Sequence, residues 1–130
     1  MLKQLSIYAE NKKGALQTMT NALYEAGINI WGSVTNDGAE YGINRMVVSD
    51  PDKAKEVLTE KGYLCRFVDV LAVEIEDKPG ALNTLLTALL DSNVNVDYTY
   101  LSFNRDSSTP VMILHTADPE EVEICLRAKG

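Results

Sequence analysis

Only one histidine, one tryptophan and two cysteines occur in 130 residues. His115 ends an apolar run and has no ligand-spaced neighbour, so the chain gathers too few donors in one place for a metal site. Cys65 and Cys125 stand sixty positions apart with no Cys-x-x-Cys pairing. That spacing reads as reduced structural thiols in a cytoplasmic protein. Basic charge is also scarce: 12 Lys and Arg against 19 Asp and Glu leave a net charge of −7. Such a balance opposes a sequence-independent grip on nucleic acid or on an anionic membrane. No apolar run is long enough to cross a bilayer. Lys3, Gln4 and Ser6 interrupt the start before a signal-peptide core forms.

What the chain does have is a repeat. Glu10-Asn11-Lys12-Lys13-Gly14-Ala15-Leu16 returns sixty-six residues later as Glu76-Asp77-Lys78-Pro79-Gly80-Ala81-Leu82. Leu5, Ile7 and Ala9 alternate with Gln4, Ser6 and Tyr8, the pattern of a half-buried strand. Leu16, Met19, Ala22, Leu23 and Ala26 then share a helical face, and Gly27 supplies a left-handed helix end. A second strand runs from Ile28 to about Thr35, Asn36-Asp37-Gly38 signals a hairpin, and Gly42–Val48 returns as a third. Asp50 and Pro51 open a second helix with Ala54, Val57 and Leu58 inward. Lys61-Gly62 ends it, and Tyr63–Val68 reads as a fourth strand. The order is βαββαβ.

The second copy begins at Val70–Ile75 with no linker. Leu82, Leu85, Leu86 and Leu89 repeat the helical stripe as core, and Asn93 stands where Gly27 stood. Val94-Asn95-Val96 matches Ile28-Asn29-Ile30. Met112-Ile113-Leu114 matches Met46-Val47-Val48, and Asp118-Pro119 matches Asp50-Pro51 after two extra residues. A match this regular is a duplication. Nothing corresponds to Tyr63–Val68 in the second copy. The expected fold is therefore α+β: two ferredoxin-like βαββαβ units, residues 1–68 and 69–130. Each would be an antiparallel sheet with helices on one face, the second lacking its last strand and left with an open edge to be covered.

A strand, then [Asn/Asp]-Lys-x-Gly-Ala-Leu opening a helix, then a Gly-[Ile/Val]-Asn-Ile-type exit, written twice, resembles tandem ACT domains. These are small-ligand regulatory modules of amino-acid metabolism. The resemblance covers essentially the whole chain, and no enzyme domain accompanies it. It implies a free-standing, non-catalytic regulator that binds an amino acid or related metabolite at the strand–helix loops and the domain interface. It also implies a homodimer acting on a metabolic enzyme, with no cofactor. Matched onto this sequence, the family's loop Asn is Asn11 and, in the second copy, Asp77; its strand-opening Asn is Asn29 and Asn95. A His that some members place two residues before the loop Asn is Ala9 here and Ile75 in the second copy, which disfavours a hydroxyl-bearing, serine-like ligand.

The residues give a physical account of such a site. Main-chain amides around Lys13, Gly14, Ala15 and Leu16 at a helix mouth suit a carboxylate. Lys12 and Lys13 add positive potential, and Asn11 and Asn29 can donate or accept. Ile30 flanks the first site. In the second loop the candidates are Asp77, Lys78, Gly80, Ala81, Leu82, Asn95 and Val96. Asp77 only accepts when ionised, and Pro79 removes an amide, so the first loop is the better carboxylate site. A ligand of amino-acid size would bind with a dissociation constant of roughly 1–100 μM. The plainer reading is that Asn11 and Asp77 cap their helices and the glycines only allow close packing. Trp31, Tyr98 and Tyr100 read either as a pocket wall or as packing.

Two further functions compete with a sensor. One is a pure interaction or dimerisation module with no small ligand. The other is an enzyme, for which no nucleophile–base constellation is recognisable. An RNA-recognition module shares the element order but wants basic charge and aromatics on its central strands, which this chain lacks.

Overall fold

A computed structural model describes residues 2–10, 12–36, 41–103 and 109–129. Ten elements follow one another: β1 (Leu2–Glu10), α1 (Ala15–Glu25), β2 (Ile30–Asn36), β3 (Tyr41–Val48), α2 (Pro51–Glu60), β4 (Leu64–Glu74), α3 (Ala81–Asp91), β5 (Tyr98–Phe103), β6 (Pro110–His115) and α4 (Pro119–Lys129). The chain divides into two compact units, Lys3–Val68 on one hand and Asp69–Gly130 with Met1–Leu2 on the other.

In the first unit β3 pairs antiparallel with both β1 and β2, placing Leu5 opposite Met46 and Ser33 opposite Met46. The Asn36-Asp37-Gly38 turn lies largely outside the described residues, but the strands it joins are paired. Leu5, Ile7, Met19, Leu23, Met46, Ala54 and Leu58 form a core at 0–1% exposure, with Cys65 beside them. Asp50 caps α2, its Oδ1 accepting from the Lys53 amide at 3.2 Å, with Pro51 at the first helical position. In the second unit β6 pairs antiparallel with β4 and β5. Its core is Leu71, Leu85, Leu89, Met112, Leu114 and Val122. Gly27 and Asn93 both take positive φ, 74° and 59°, at equivalent helix ends.

The expected open sheets with helices on one face are not what forms. The strands follow the order β1-β3-β2-β5-β6-β4 in a closed barrel. Two features explain the difference. First, Tyr63–Val68 and Val70–Ile75 read as separate strands, but no Gly, Pro or Asn interrupts them, and Leu64–Glu74 runs as one. Second, Gln4 and Ser6 alternate with Leu5 and Ile7 as a solvated face would, yet they are 0% and 5% exposed. Gln4 Nε2 donates to Ser6 Oγ at 3.2 Å. Val47, Val70 and Ile113 are also buried outside the two helix-facing cores. A polar pair is tolerated at buried positions when its members are hydrogen-bonded.

The helical stripes are narrower than their periodicity suggested. Leu16 is 48% exposed, and Leu82 and Leu86 are 37% and 36% exposed, while Leu85 and Leu89 carry the packing of α3.

Candidate functional site

Each strand–helix loop is built the same way. After β1 the Lys12 amide donates to the Glu10 carbonyl at 3.1 Å and the Ala15 amide to the Lys12 carbonyl at 3.1 Å. Gly14 sits at the helix mouth at φ 84°, and its carbonyl accepts from both the amide and the hydroxyl of Thr18. After β4 the Lys78, Ala81, Gly80 and Thr84 groups repeat every one of these bonds, with Gly80 at φ 85°. The left-handed glycine reverses the chain into the helix where an L-residue would be strained.

Neither helix has a side-chain cap; the N-caps are Gly14 and Gly80 themselves. The capping role offered for Asp77 is thereby set aside, because the glycine has taken that position. Asn11 lies outside the described residues. The Ala15 amide is committed to the Lys12 carbonyl, so it is not available to a ligand at the first mouth.

The charge around the loops is more balanced than the sequence implied. Lys12 Nζ lies 3.2 Å from Glu10 Oε2, and Lys78 Nζ lies 2.8 Å from Glu76 Oε2. The hydrogen bond and charge of Lys78 hold the Glu76 carboxyl below its usual range, and Glu76 raises Lys78 in return. Both pairs are exposed, so they contribute little to stability. They do partly cancel the positive potential expected of Lys12.

Both mouths open onto cavities of about 850 Å³. The first is lined by Tyr8–Glu10, by Lys12, Lys13, Gly14 and Ala15, by Gln17 and Thr18, and closed by Lys61–Leu64. The second takes in Glu76, Lys78 and Ala81, then runs along β4 and α3 to Glu123 and Leu126. Leu16, Asp77, Gly80 and Leu82 are not on these walls. Gln17, Thr18 and the Lys61–Leu64 wall were not singled out by the repeat. Thr18 and Thr84 hold the same offset after each glycine and could have been found that way.

Within each unit the strand-opening Asn does not meet the helix mouth. Asn29 and Ile30 follow the far end of α1, about 16 Å away for an 11-residue helix. Asn29 is held by its main chain: its amide donates to Ser49 Oγ and its carbonyl accepts from the Ser49 amide, both at 2.9 Å. Asn95 lines a separate cavity of about 430 Å³ with Asp97, Thr116, Asp118 and Glu121. Its Nδ2 donates to Asp97 Oδ1 at 3.3 Å, and Val96 is not on that wall. Asp97 also pairs with His115 Nδ1 at 2.9 Å, and the His115 ring stacks on Tyr98 at 4.9 Å and 2°. Tyr98 in turn stacks on Tyr100 at 6.5 Å, so these aromatics are engaged in packing. Among the described residues no group of three or more His, Cys, Asp or Glu is placed to hold a metal ion, and no helix is long and apolar enough to cross a membrane.

Comparison with known proteins agrees with this architecture. The chain is similar to protein BT0572 from Bacteroides thetaiotaomicron at 31% identity and TM-score 0.89, covering 98% of this chain and 88% of that one. The ligand-free regulatory subunit of aspartate kinase from Thermus thermophilus shares the fold at 16% identity and TM-score 0.70, covering 97% and 88%. The corresponding Thermus flavus subunit does so at 20% identity and TM-score 0.64, covering 98% and 91%. No curated protein matches the chain. A family model described as an ACT domain pair matches residues 1–129. With two copies of one glycine-mouthed loop, each opening onto a cavity, the chain belongs to the ACT domain pair family.

Proposed function

We propose that this protein is a non-catalytic regulator that binds a free amino acid, or a metabolite of the same charge pattern, at the loop between β1 and α1. The observation that carries this reading is the cavity at the first helix mouth, which brings Lys12, Lys13, Gly14 and Ala15 together with Gln17 and Thr18. A zwitterion needs donors for its carboxylate and acceptors for its ammonium. Main-chain amides with the helix dipole behind them, and Lys13 beside them, supply the first. Glu10, on the same wall, supplies the second. Asn11 is the further side chain we assign to the ligand, and the Lys78–Ala81 mouth is the weaker second site. Membership of a family of small-ligand regulatory modules supports the reading, as does the likeness to regulatory subunits. A cytoplasmic homodimer that signals to a metabolic enzyme is the assembly in which we place it.

A thermal-shift panel of the twenty amino acids tests this. At least one should raise the melting temperature in a saturable way, with a dissociation constant of roughly 1–100 μM. Lys13→Glu should weaken that response about tenfold or more by placing a like charge beside the carboxylate. A flat panel from folded protein would end the sensor reading.

A further inference from the structure

The two strand–helix mouths are copies of one loop, yet their cavity walls carry opposite charge. Among the described residues, Lys12, Lys13 and Lys61 line the first against Glu10 alone, a net of two positive charges. Glu74, Glu76 and Glu123 line the second against Lys78 alone, a net of two negative ones. The ion pair beside the strand end is common to both, since Lys12 meets Glu10 and Lys78 meets Glu76. The contrast comes from what surrounds that pair. At matching positions Tyr8 becomes Glu74, and Lys13 becomes Pro79.

Lys13 and Lys61 are the cations left over in the first cavity. Among the described residues no carboxylate pairs with either of them. They reach the cavity from different elements. Lys13 precedes Gly14 at the mouth of α1, and Lys61 follows the last residue of α2. The end of α2 is closed by main chain: the carbonyls of Val57, Leu58 and Thr59 accept from the amides of Lys61, Gly62 and Tyr63. The Lys61 ammonium is therefore not needed to cap that helix. Ala9 and Tyr63 complete this part of the wall and pack against the core of the first unit. They offer apolar contact to a short methylene stem.

A cleft lined by charge of one sign concentrates ligands of the other, and each unpaired ammonium gains a charge-assisted hydrogen bond when an anion arrives. We propose that the first cavity selects an amino acid with two carboxylates, the α-carboxylate at Lys13 and the mouth of α1 and the side-chain carboxylate at Lys61. This inference rests on the amino-acid reading of the same cavity and names the class of amino acid it takes. A neutral amino acid answers one of the two cations, an acidic one answers both, and a basic one adds a further positive charge to the wall. Selectivity is that difference in complementarity.

The test is calorimetric titration of the full chain with L-glutamate and L-aspartate, each beside its own amide, L-glutamine or L-asparagine. Acid and amide are nearly the same shape, so their ratio of affinities reads the distal charge. The better acid should bind at least about tenfold tighter than its amide at low salt, and the ratio should shrink as sodium chloride is added. Lys61→Gln should bring the ratio to about one, and Lys61→Glu should invert it. Lys53→Gln removes an exposed lysine of α2 that does not line the cavity, and should leave the ratio unchanged. An amide that binds as tightly as its acid overturns the proposal, as does an acid preference that survives Lys61→Gln or is lost equally in Lys53→Gln. Each of these results leaves the amino-acid reading standing. If no amino acid binds the folded protein, that reading falls and this proposal falls with it.

Discussion

At residue scale, the glycines at the helix mouths set the course of each loop, at φ 84° and 85°. A Cβ built on Gly14 or Gly80 meets nothing within 4 Å, so the requirement for glycine is conformational rather than steric. Gly80→Ala should cost about 1–2 kcal/mol from left-handed strain alone, read by urea denaturation. Asp50→Ala should cost about 1 kcal/mol through loss of the Lys53 cap. Cys65 makes a prediction with a sign. Burial pushes its thiol pKa up, against smaller lowering effects from Thr59 and Lys55. The folded value lies above the unfolded one, so this group's stability contribution is complete below the ordinary thiol range and is lost as pH rises through it. The wild type should therefore lose more stability between pH 8 and pH 10 than Cys65→Ala does. Its thiol should also react with iodoacetamide more slowly than in the urea-unfolded chain.

At element scale the decisive feature is β4. Its first half supplies Cys65 and Phe67 to one core and its second half supplies Leu71 and Val73 to the other. An Asn-Gly insertion between Val68 and Asp69 distinguishes one strand from two. Two separate strands would absorb a two-residue turn at little cost. A continuous strand would have its pairings displaced on one side, and the loss should be at least about 2 kcal/mol. Comparing denaturation midpoints with the parent decides it. The same strand shows where pattern runs out: hydrophobic alternation marks that a segment is extended, but the lone Asp69 between Val68 and Val70, a turn-tolerant residue, does not stop it, and β4 runs through.

At the scale of the whole molecule, the described residues put eleven buried side chains in the core of the first unit and six in that of the second, and neither half is large enough to be robust alone. With β4 common to both, the full chain should unfold in a single cooperative transition by circular dichroism and by Trp31 fluorescence. Residues 69–130 expressed alone should show no cooperative transition, and a sharp melt from that fragment would contradict the shared strand.

Much of this protein was legible in its residues. The duplication placed both helix mouths, Gly27 and Asn93 ended their helices as read, and Asp50-Pro51 opened α2 as written. These are local signals, set by the backbone chemistry of a few adjacent residues, and they survive whatever surrounds them. Tertiary structure decided the rest. That Gln4 and Ser6 are buried, that Asn29 lies a helix length from the loop it was paired with, and that Leu71–Glu76 borders a groove all depend on which strands are neighbours. Strand neighbours are chosen by long-range burial, for which no single stretch of sequence carries the information.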